Sequence, residues 1–338
     1  MTNILVSIII PIYNVSKYVE QCFLSVIHQQ YQNIEAIFVN DGSSDGSKEI
    51  LDNLKSKDSR VSVYHIENGG VTNARKYGFS KSNGDYIMFV DGDDYLSPDA
   101  VVKLLANVSS SNDIHISTGS HTCVYKNKFR TVTNLLPKTL SSTEYVKSLL
   151  ANEVPCAIWG KLFHRNVISF SHFRFDRSIV KGEDLLFNVE VAKNSKFIAR
   201  TSDCVYFYRM RKDSVVNSFC IDLDYFLNYR KMLNDSVDQT IKSQSKDVRR
   251  LLYLGDVYGY LNLFDERMLH PSNLNKLCDI LTVFREKPIL KSDFKYLSSM
   301  QKIMLFLIRF NVQPILFMRY KVFLISLIFK FRGFKLFS

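Results

Sequence analysis

The first hundred residues alternate short apolar runs with segments whose apolar positions recur at helical spacing. Alternation of this kind predicts parallel strands joined by crossover helices. The runs are nearly continuous in Val, Ile and Phe, which is typical of a sheet covered by helices on both faces. The pattern predicts an α/β fold with a mainly parallel sheet, whose first four strands lie in residues 4–11, 34–40, 61–66 and 86–90.

Three positions in this region have the residue types that begin helices. Ser16 and Asp45 stand shortly before apolar positions at helical spacing, and Ser97 is followed by Pro98. Ser and Asp side chains accept hydrogen bonds from first-turn N–H groups, and Pro suits the first helical position. Each position is therefore predicted to start the helix that follows a strand.

Polar and acidic residues come directly after each predicted strand. In open α/β sheets, ligands bind at the carboxyl ends of the strands. We therefore expect four segments to meet in one cleft: Pro11–Asn14, Asn40–Gly46, Glu67–Gly70 and Asp91–Asp94.

The fourth segment, Asp91-Gly92-Asp93-Asp94, is open to two interpretations. It is either a solvated turn before the next helix or a hard oxygen site for Mn²⁺ or Mg²⁺, because two carboxylates directly after a buried strand can both face the cleft. Asp41, after the second strand, is either part of an ordinary turn or an acceptor for a nucleotide base N–H. No glycine-rich dinucleotide or P-loop motif is present, which disfavours dehydrogenases and P-loop enzymes.

Composition favours a folded protein of a reducing compartment. Hydrophobic residues make up 46% and charged residues 23% of the 338 residues, close to globular averages. The six cysteines form no CxxC pair, so neither a zinc site nor a disulfide framework is predicted. The first apolar run has no basic segment before it and no small-residue cleavage signal, so it predicts a strand rather than a signal peptide.

The net charge of +11 is concentrated near the C-terminus. Eleven Lys and Arg against two acidic residues after residue 284 give +9, leaving +2 for the rest. From about Ser298 these basic residues are interleaved with Leu, Ile and Phe, and no uncharged run reaches the roughly 18 residues that span a bilayer. The segment favours a basic amphipathic helix on the inner membrane surface, with a helix packed on the protein as the alternative, and it disfavours nucleic acid as a partner.

Several motifs in order give the chain a resemblance to a known family. With its PIYN, NDGSSDGS, ENGGVTNARKYGF and VDGDD segments, followed by WGKLF, GEDLLFN and YFYRMRKDS, the sequence resembles the family 2 glycosyltransferases, of the type that builds bacterial surface polysaccharides. The resemblance implies a GT-A fold, which is Rossmann-like, and a catalytic domain over residues 1–221. Its nucleotide-binding half would span about 1–118 and its acceptor half about 119–221, before a helical region over 222–338.

The resemblance also implies roles for individual residues. The enzyme would be an inverting hexosyltransferase that moves a hexose or amino-hexose from a UDP-sugar to an acceptor hydroxyl. Asp184 would be the catalytic base, next to Glu183, while Asp91 and Asp93 would form the DxD pair on the metal and ribose. The remaining implied donor contacts are Pro11, Tyr13, Asn14, Asp41, Gly42, Arg75 and Gly92.

Some roles stay open between two interpretations. Glu183 and Asp184 also suit the N-cap and first turn of a helix, and both roles can hold together. Trp159 is an acceptor-stacking platform or a core residue, and Lys161 beside it is a further acceptor candidate.

The diphosphate and metal contacts are similarly open. Arg209 and Arg211 clamp the diphosphate or lie on a solvated face. The YFYRMRKDS segment has no histidine, which leaves a third metal ligand in doubt, as it does the participation of Asp94. Asn73 and Gly160 depart from the family pattern at positions that would tune donor and acceptor choice.

Two other functions compete with glycosyl transfer. A nucleotidyltransferase would need a glycine- and lysine-rich loop near the first strand, and the PIYN segment is not one. A non-catalytic nucleotide-sugar-binding scaffold would not be expected to keep Asp41, Asp91, Asp93 and Asp184 together. The expected setting is a lipid-linked acceptor at the cytoplasmic face of the membrane, as in capsule or lipopolysaccharide assembly.

Overall fold

The computed structural model describes residues 4–263, except 109–112, 127, 134–137, 174–178, 180, 212–222 and 238. Within these residues, one mixed sheet contains the following strands in spatial order: β3 (Val61–Ile66), β2 (Ile34–Asp41), β1 (Val6–Ile12), β4 (Tyr86–Phe89), β9 (Lys161–His164), β6 (Ile114–Tyr125), β10 (Phe197–Arg209) and β5 (Tyr95–Leu96). Two further strands pair at its side, β7 (Lys128–Val132) with β6 and β8 (Thr139–Ser141) with β10. The predicted α/β class is confirmed. The predicted tail from Ser298 lies outside the described residues, as does the part of the predicted helical region that follows residue 263.

The first half of the sheet is parallel. Strand β1 lies between β2 and β4, and it is buried along its whole length, so helices cover both of its faces. The elements are β1 (Val6–Ile12), α1 (Val19–Ile27), β2 (Ile34–Asp41), α2 (Ser47–Lys55), β3 (Val61–Ile66), α3 (Val71–Lys81) and β4 (Tyr86–Phe89).

The second half of the sheet is mixed. Strand β9 runs antiparallel to both β4 and β6 and so joins the two halves. The elements are β5 (Tyr95–Leu96), α4 (Ala100–Val108), β6 (Ile114–Tyr125), β7 (Lys128–Val132), β8 (Thr139–Ser141), α5 (Ser142–Leu150), β9 (Lys161–His164), α6 (Glu183–Ala192) and β10 (Phe197–Arg209), with short 3₁₀ turns at Arg165–Val167 and Phe170–Phe173.

Three helices follow the sheet within the described residues. They are α7 (Leu223–Ser236), α8 (Gln239–Gln244) and α9 (Lys246–Leu263). Residues Lys231–Val248 belong to the same compact unit as the sheet, whereas 223–230 and 249–263 belong to a second unit. In the second unit Arg230 donates to Asp256 over 2.6 Å. None of the described helices is long and apolar enough to cross a membrane.

The three predicted helix starts agree with the structure to different extents. Ser16 does not cap α1: the helix begins after Tyr18 without a side-chain cap, and the Ser16 N–H donates to the Asp45 carboxylate over 2.8 Å. Asp45 does accept from the first-turn N–H of Ser47, over 3.1 Å, although Gly46 occupies the N-cap position itself. The helix predicted to start at Ser97 is α4, which begins at Ala100 after a turn in which the Ala100 N–H donates to the Ser97 carbonyl.

Candidate active site

The segments after β1, β2 and β4 meet at the carboxyl edge of the parallel half, as predicted. Asp41 ends β2, and Asp91 follows β4 by two residues. Asp41 is buried, and its two carboxylate oxygens accept from the N–H groups of Gly69 and Gly70 over 2.7 and 2.8 Å. The carboxylate thereby fixes the loop after β3 against the end of β2.

The residues after β1 occupy different depths. Tyr13 is 51% exposed, whereas Pro11 is buried within β1. Asn14 adopts a positive φ of 52°, and its side-chain oxygen accepts from the Ser44 N–H over 2.8 Å. The exposed Tyr13 ring and the loop that Asn14 fixes behind it suit the binding of a nucleoside. A contact between the buried Pro11 ring and the donor stays a prediction.

Two of the predicted donor-site glycines are explained by close backbone packing. A Cβ on Gly92 would lie 2.3 Å from Cδ1 of Ile12 and 3.0 Å from the Pro11 carbonyl oxygen. Gly42 has φ +70°, and a Cβ there would lie 2.9 Å from the Asn68 nitrogen. Both glycines therefore allow the acidic loops to lie directly on their neighbours.

Asp94 is anchored to β10. Its two oxygens accept from the Tyr206 hydroxyl over 2.8 Å and from the Arg209 N–H over 2.7 Å. The same Tyr206 oxygen accepts from the Asp91 N–H over 3.1 Å. Burial, followed by the nearby Asp93 and Asp91 charges, raises the pKa of Asp94. Asp94 thus holds the acidic turn in place, which argues against its use as a metal ligand.

Arg75 joins the acidic turn to the candidate base. One terminal nitrogen of its guanidinium lies 2.8 Å from Asp91 Oδ1 and the other lies 2.8 Å from Asp184 Oδ1. The side chain is only 5% exposed. Although burial opposes its charge, Asp184 and Asp91 hold the pKa of Arg75 above its usual value. The arginine therefore brings two acids from opposite halves of the sheet into one site.

Glu183 and Asp184 lie in the first turn of α6. The N-cap is Gly182, with φ 97° and no side-chain cap, so neither acid is the cap itself. The second oxygen of Asp184 accepts from the Ile158 N–H over 3.1 Å. Burial, together with the charge of Asp184, raises the pKa of Glu183 to about 7. The positive end of the helix thus holds one fixed carboxylate and one that titrates near neutrality.

The two acceptor candidates are buried. Trp159 belongs to the hydrophobic core, where its ring stacks on Tyr206 with centroids 4.4 Å apart. Lys161 is 1% exposed and donates to the carbonyls of Pro155, over 2.9 Å, and of Ala157. The structure favours the core interpretation of Trp159. It also corrects the acceptor contact predicted for Lys161, because the ammonium group faces buried backbone carbonyls.

Arg209 and Arg211 lie against the acidic turn. Both guanidinium groups are over the Tyr18 ring, at 4.6 and 5.2 Å from its centroid. Arg209 donates to the Gln21 side chain over 2.7 Å, and Nε of Arg211 lies 2.9 Å from Asp93 Oδ2. These contacts contradict a freely solvated face and are compatible with a diphosphate clamp.

The oxygen donors of Asp91 and Asp93 fit a divalent cation that also binds a diphosphate. Among the described residues no three His, Cys, Asp or Glu side chains are grouped so as to hold a metal ion by themselves. Mg²⁺, however, is usually held by one or two carboxylates together with substrate phosphates. Burial raises the pKa of Asp91, and nearby Asp93 and Asp184 act in the same direction while Arg75 opposes them, so a cation would relieve a crowded set of negative charges.

Sequence reasoning missed the residues that support the site from behind. Tyr206, Asn188 and the Ile158 N–H had no predicted role, although the first two lie within the VYFYR and GEDLLFN segments. The sequence showed only that Tyr206 and Asn188 lie inside motifs. Their hydrogen-bond partners, such as Asp94 and Cys156, are far away along the chain and could not be predicted.

The sequence is similar to those of known glycosyltransferases. The family model "Glycosyl transferase family 2" matches residues 7–169. An uncharacterized glycosyltransferase of Haemophilus influenzae is 35% identical over 62% of this chain and 81% of its own length. The uncharacterized glycosyltransferase EpsJ of Bacillus subtilis is 32% identical over 62% of each chain, so this chain spans less than two thirds of that relative.

A solved structure agrees with the fold. The crystal structure of S. aureus TarS 1–349 in complex with UDP-GlcNAc superposes with a TM-score of 0.68, at 17% identity, over 91% of this chain and 88% of that one. The predicted GT-A architecture is thereby confirmed.

Proposed function

Because the chain belongs to glycosyl transferase family 2, as its motifs predicted, we propose that it transfers a hexose or amino-hexose from a UDP-linked donor to an acceptor hydroxyl with inversion. The observation that carries the proposal is the double contact of Arg75 with Asp91 and Asp184. One guanidinium group thus contacts both Asp91, which is expected to bind the donor, and Asp184, the candidate base.

The donor is expected to lie across the loops after β1, β2 and β4. In this proposal Tyr13 and Asp41 contact the base, and Arg209 and Arg211 bind the diphosphate, since arginine suits bidentate phosphate contacts. TarS, which shares the fold, was solved with UDP-GlcNAc, and this supports a uridine nucleotide here.

Asp91 and Asp93 would hold Mn²⁺ or Mg²⁺ together with the diphosphate. Such an ion would stabilise the negative charge that develops on the leaving nucleotide. Arg75 keeps one oxygen of Asp91 in place, and Arg211 does the same for Asp93. The arginines thereby orient both carboxylates while each retains a second oxygen.

Asp184 would accept the proton of the attacking hydroxyl. Each carboxylate oxygen has two lone pairs, so its hydrogen bonds to Arg75 and Ile158 leave acceptor capacity. Those two fixed contacts orient the carboxylate, which is what general base catalysis requires. Attack opposite the leaving group converts an α-linked donor into a β-linked product.

The direct test measures UDP release with Mn²⁺ across a panel of UDP-hexoses. Asp184→Asn is expected to lower turnover by about 10²- to 10⁴-fold with UDP affinity retained, and Asp203→Asn, an exposed acid on β10, serves as the matched control. Wild-type enzyme that binds UDP but turns over no donor would reject catalysis. Absence of UDP binding would reject the donor assignment as well.

We also propose that the acceptor is lipid-linked and that the enzyme acts as a peripheral protein on the cytoplasmic membrane face in surface-glycan synthesis. The support is the basic, apolar composition after residue 284, all of which lies outside the described residues. Deletion from Ser298 is expected to move the protein from the membrane to the soluble fraction in cell fractionation. Unchanged partition would contradict this setting.

A further inference from the structure

A buried cation lies behind the candidate base. Lys161, the first residue of β9, is fully enclosed, and its ammonium group donates to the carbonyls of Pro155 and Ala157. Removing a charge from water is costly unless it is paired or hydrogen-bonded. The cost of burying Lys161 indicates that the side chain has a role in this position, and the carbonyls that it contacts indicate what that role is.

A second buried group holds the same segment from α6. The Asn188 amide nitrogen donates to the carbonyl of Cys156 over 2.8 Å and to that of Asp184 over 2.8 Å. Its side-chain oxygen accepts from the Tyr145 hydroxyl over 3.1 Å. The orientation of the amide is thus fixed from α5, and the amide ties the segment to the first turn of α6.

The segment held by these two groups ends at the base. Residues 155–157 present their carbonyls to Lys161 and Asn188, and the next residue, Ile158, donates its N–H to Asp184 Oδ2. We propose that Lys161 and Asn188 are positioning residues for the catalytic base, because they fix the backbone N–H that orients its carboxylate. This inference rests on the proposed function, in which Asp184 is the base.

A lysine suits this position better than an apolar residue of the same length. Its ammonium group has three donors, so it can satisfy the two convergent carbonyls of Pro155 and Ala157 at once. Burial lowers the pKa of Lys161 to about 8, against the opposing charges of Cys156 and Asp184. The charged form is thus retained at neutral pH in a place where burial disfavours it.

The first test is kinetic. Lys161→Met keeps the side-chain length but removes the donors, and we expect kcat to fall about 100-fold with the KM for the UDP-sugar unchanged. Lys196→Met, which removes an exposed lysine paired with Asp113, is the matched control and should retain wild-type kcat. Tyr145→Phe gives a milder version of the same loss if Lys161→Met does not fold.

A double-mutant cycle with Asp184→Asn tells positioning from a general loss of structure. If Lys161 acts through Asp184, its substitution has little further effect on the residual rate of Asp184→Asn. A full 100-fold loss in that background would overturn the proposal, as would wild-type kcat in Lys161→Met.

The second test does not depend on turnover. Hydrogen exchange of the peptide that contains Ile158, measured by mass spectrometry, should be faster in Lys161→Met than in the wild type or Lys196→Met. Equal protection in all three would overturn the proposal. Faster exchange in an enzyme that turns over no donor would support the positioning network and reject the proposed function instead, so the two failures are distinguishable.

Discussion

The two halves of the sheet hold their acids in different ways. In the parallel half, Asp41 is fixed by backbone N–H groups 28 and 29 residues away, from the loop that follows the next strand. In the mixed half, Asp184 is fixed by Arg75, 109 residues away, and by Ile158, which is itself held by Lys161 and Asn188. Asp41 therefore depends on local loop geometry, whereas the candidate base, like the acidic turn that Tyr206 holds, depends on contacts across the sheet.

This difference predicts how each half responds to substitution. A backbone N–H remains after any substitution except one to proline, so a change at Asp41 should lose mainly the contact that is deleted. In the mixed half, substitution of one side chain should also shift the groups that it holds, as from Lys161 through Ile158 to Asp184. The experiments below test that contrast, starting with the largest expected effect.

Arg75→Met should have the largest effect, because it removes the two ion pairs that join Asp91 to Asp184. It leaves Asp91 and Asp184 without their buried partner, and breaking a buried ion pair typically costs about 3–5 kcal/mol. We expect a matching loss in the free energy of unfolding, measured in urea, and loss of turnover. Lys103→Met, which breaks an exposed pair with Asp99, is the control and should cost about 0–1 kcal/mol. Equal costs for both variants would contradict the bridging role.

Tyr206→Phe should have the next largest effect. The change removes a donor from the buried Asp94 carboxylate and an acceptor from the Asp91 N–H, while the ring stack on Trp159 remains. Unsatisfied buried groups cost about 1–3 kcal/mol each, and we expect the upper end of that range, measured by thermal unfolding. Tyr208→Phe, on the same strand and also stacked on Trp159, is the matched variant and should cost less. The reverse order would contradict the anchoring role of Asp94.

Asp41→Asn tests the local half. The amide nitrogen that replaces one oxygen would face an N–H donor, so one of Gly69 or Gly70 loses its acceptor at a cost of about 2 kcal/mol. The affinity for UDP, measured by calorimetry, should weaken as well. Hydrogen exchange of the Ile158 amide, which donates to Asp184, should stay unchanged. Altered protection at Ile158 would show that the halves are coupled through the donor loops too.

Glu183 sharpens the comparison through pH rather than through a deleted contact. Its folded-state pKa, raised from 4.5 to about 7, means that the folded protein binds this proton more tightly than the unfolded chain. Its contribution to stability therefore falls as the pH rises from about 4.5 to 7. Glu183→Gln should flatten the decrease in melting temperature over that interval. Glu144→Gln, at a carboxyl whose pKa is lowered by hydrogen bonds from Ser141, should not.

The sequence allowed more of the parallel half to be predicted than of the mixed half. The strands, the acidic turn and the convergence on one edge follow from apolar periodicity and from the rule that ligands bind at strand ends. The helix start at Ser16 was wrong: the helix begins at Val19, and Ser16 instead bonds a carboxylate 29 residues away. No local pattern shows that hydrogen bond.

The mixed half was harder to predict because its side chains are buried by pairing across the sheet. Trp159 and Lys161 stand in a motif whose strand, β9, lies between β4 and β6, and this placement turns both side chains away from solvent. Asp184 was identified through the family resemblance alone. Its partners became visible only when residues from β9, α3 and α6 were brought together.

The bridge formed by Arg75 has a consequence for protein engineering. Chimeras that exchange acceptor halves between relatives are attractive because the halves follow each other in the chain. The junction that matters, however, is a guanidinium supplied by the first part to a carboxylate supplied by the second. A recombined enzyme must therefore inherit both groups at matching positions, and parents should be chosen by that pair before overall similarity is considered.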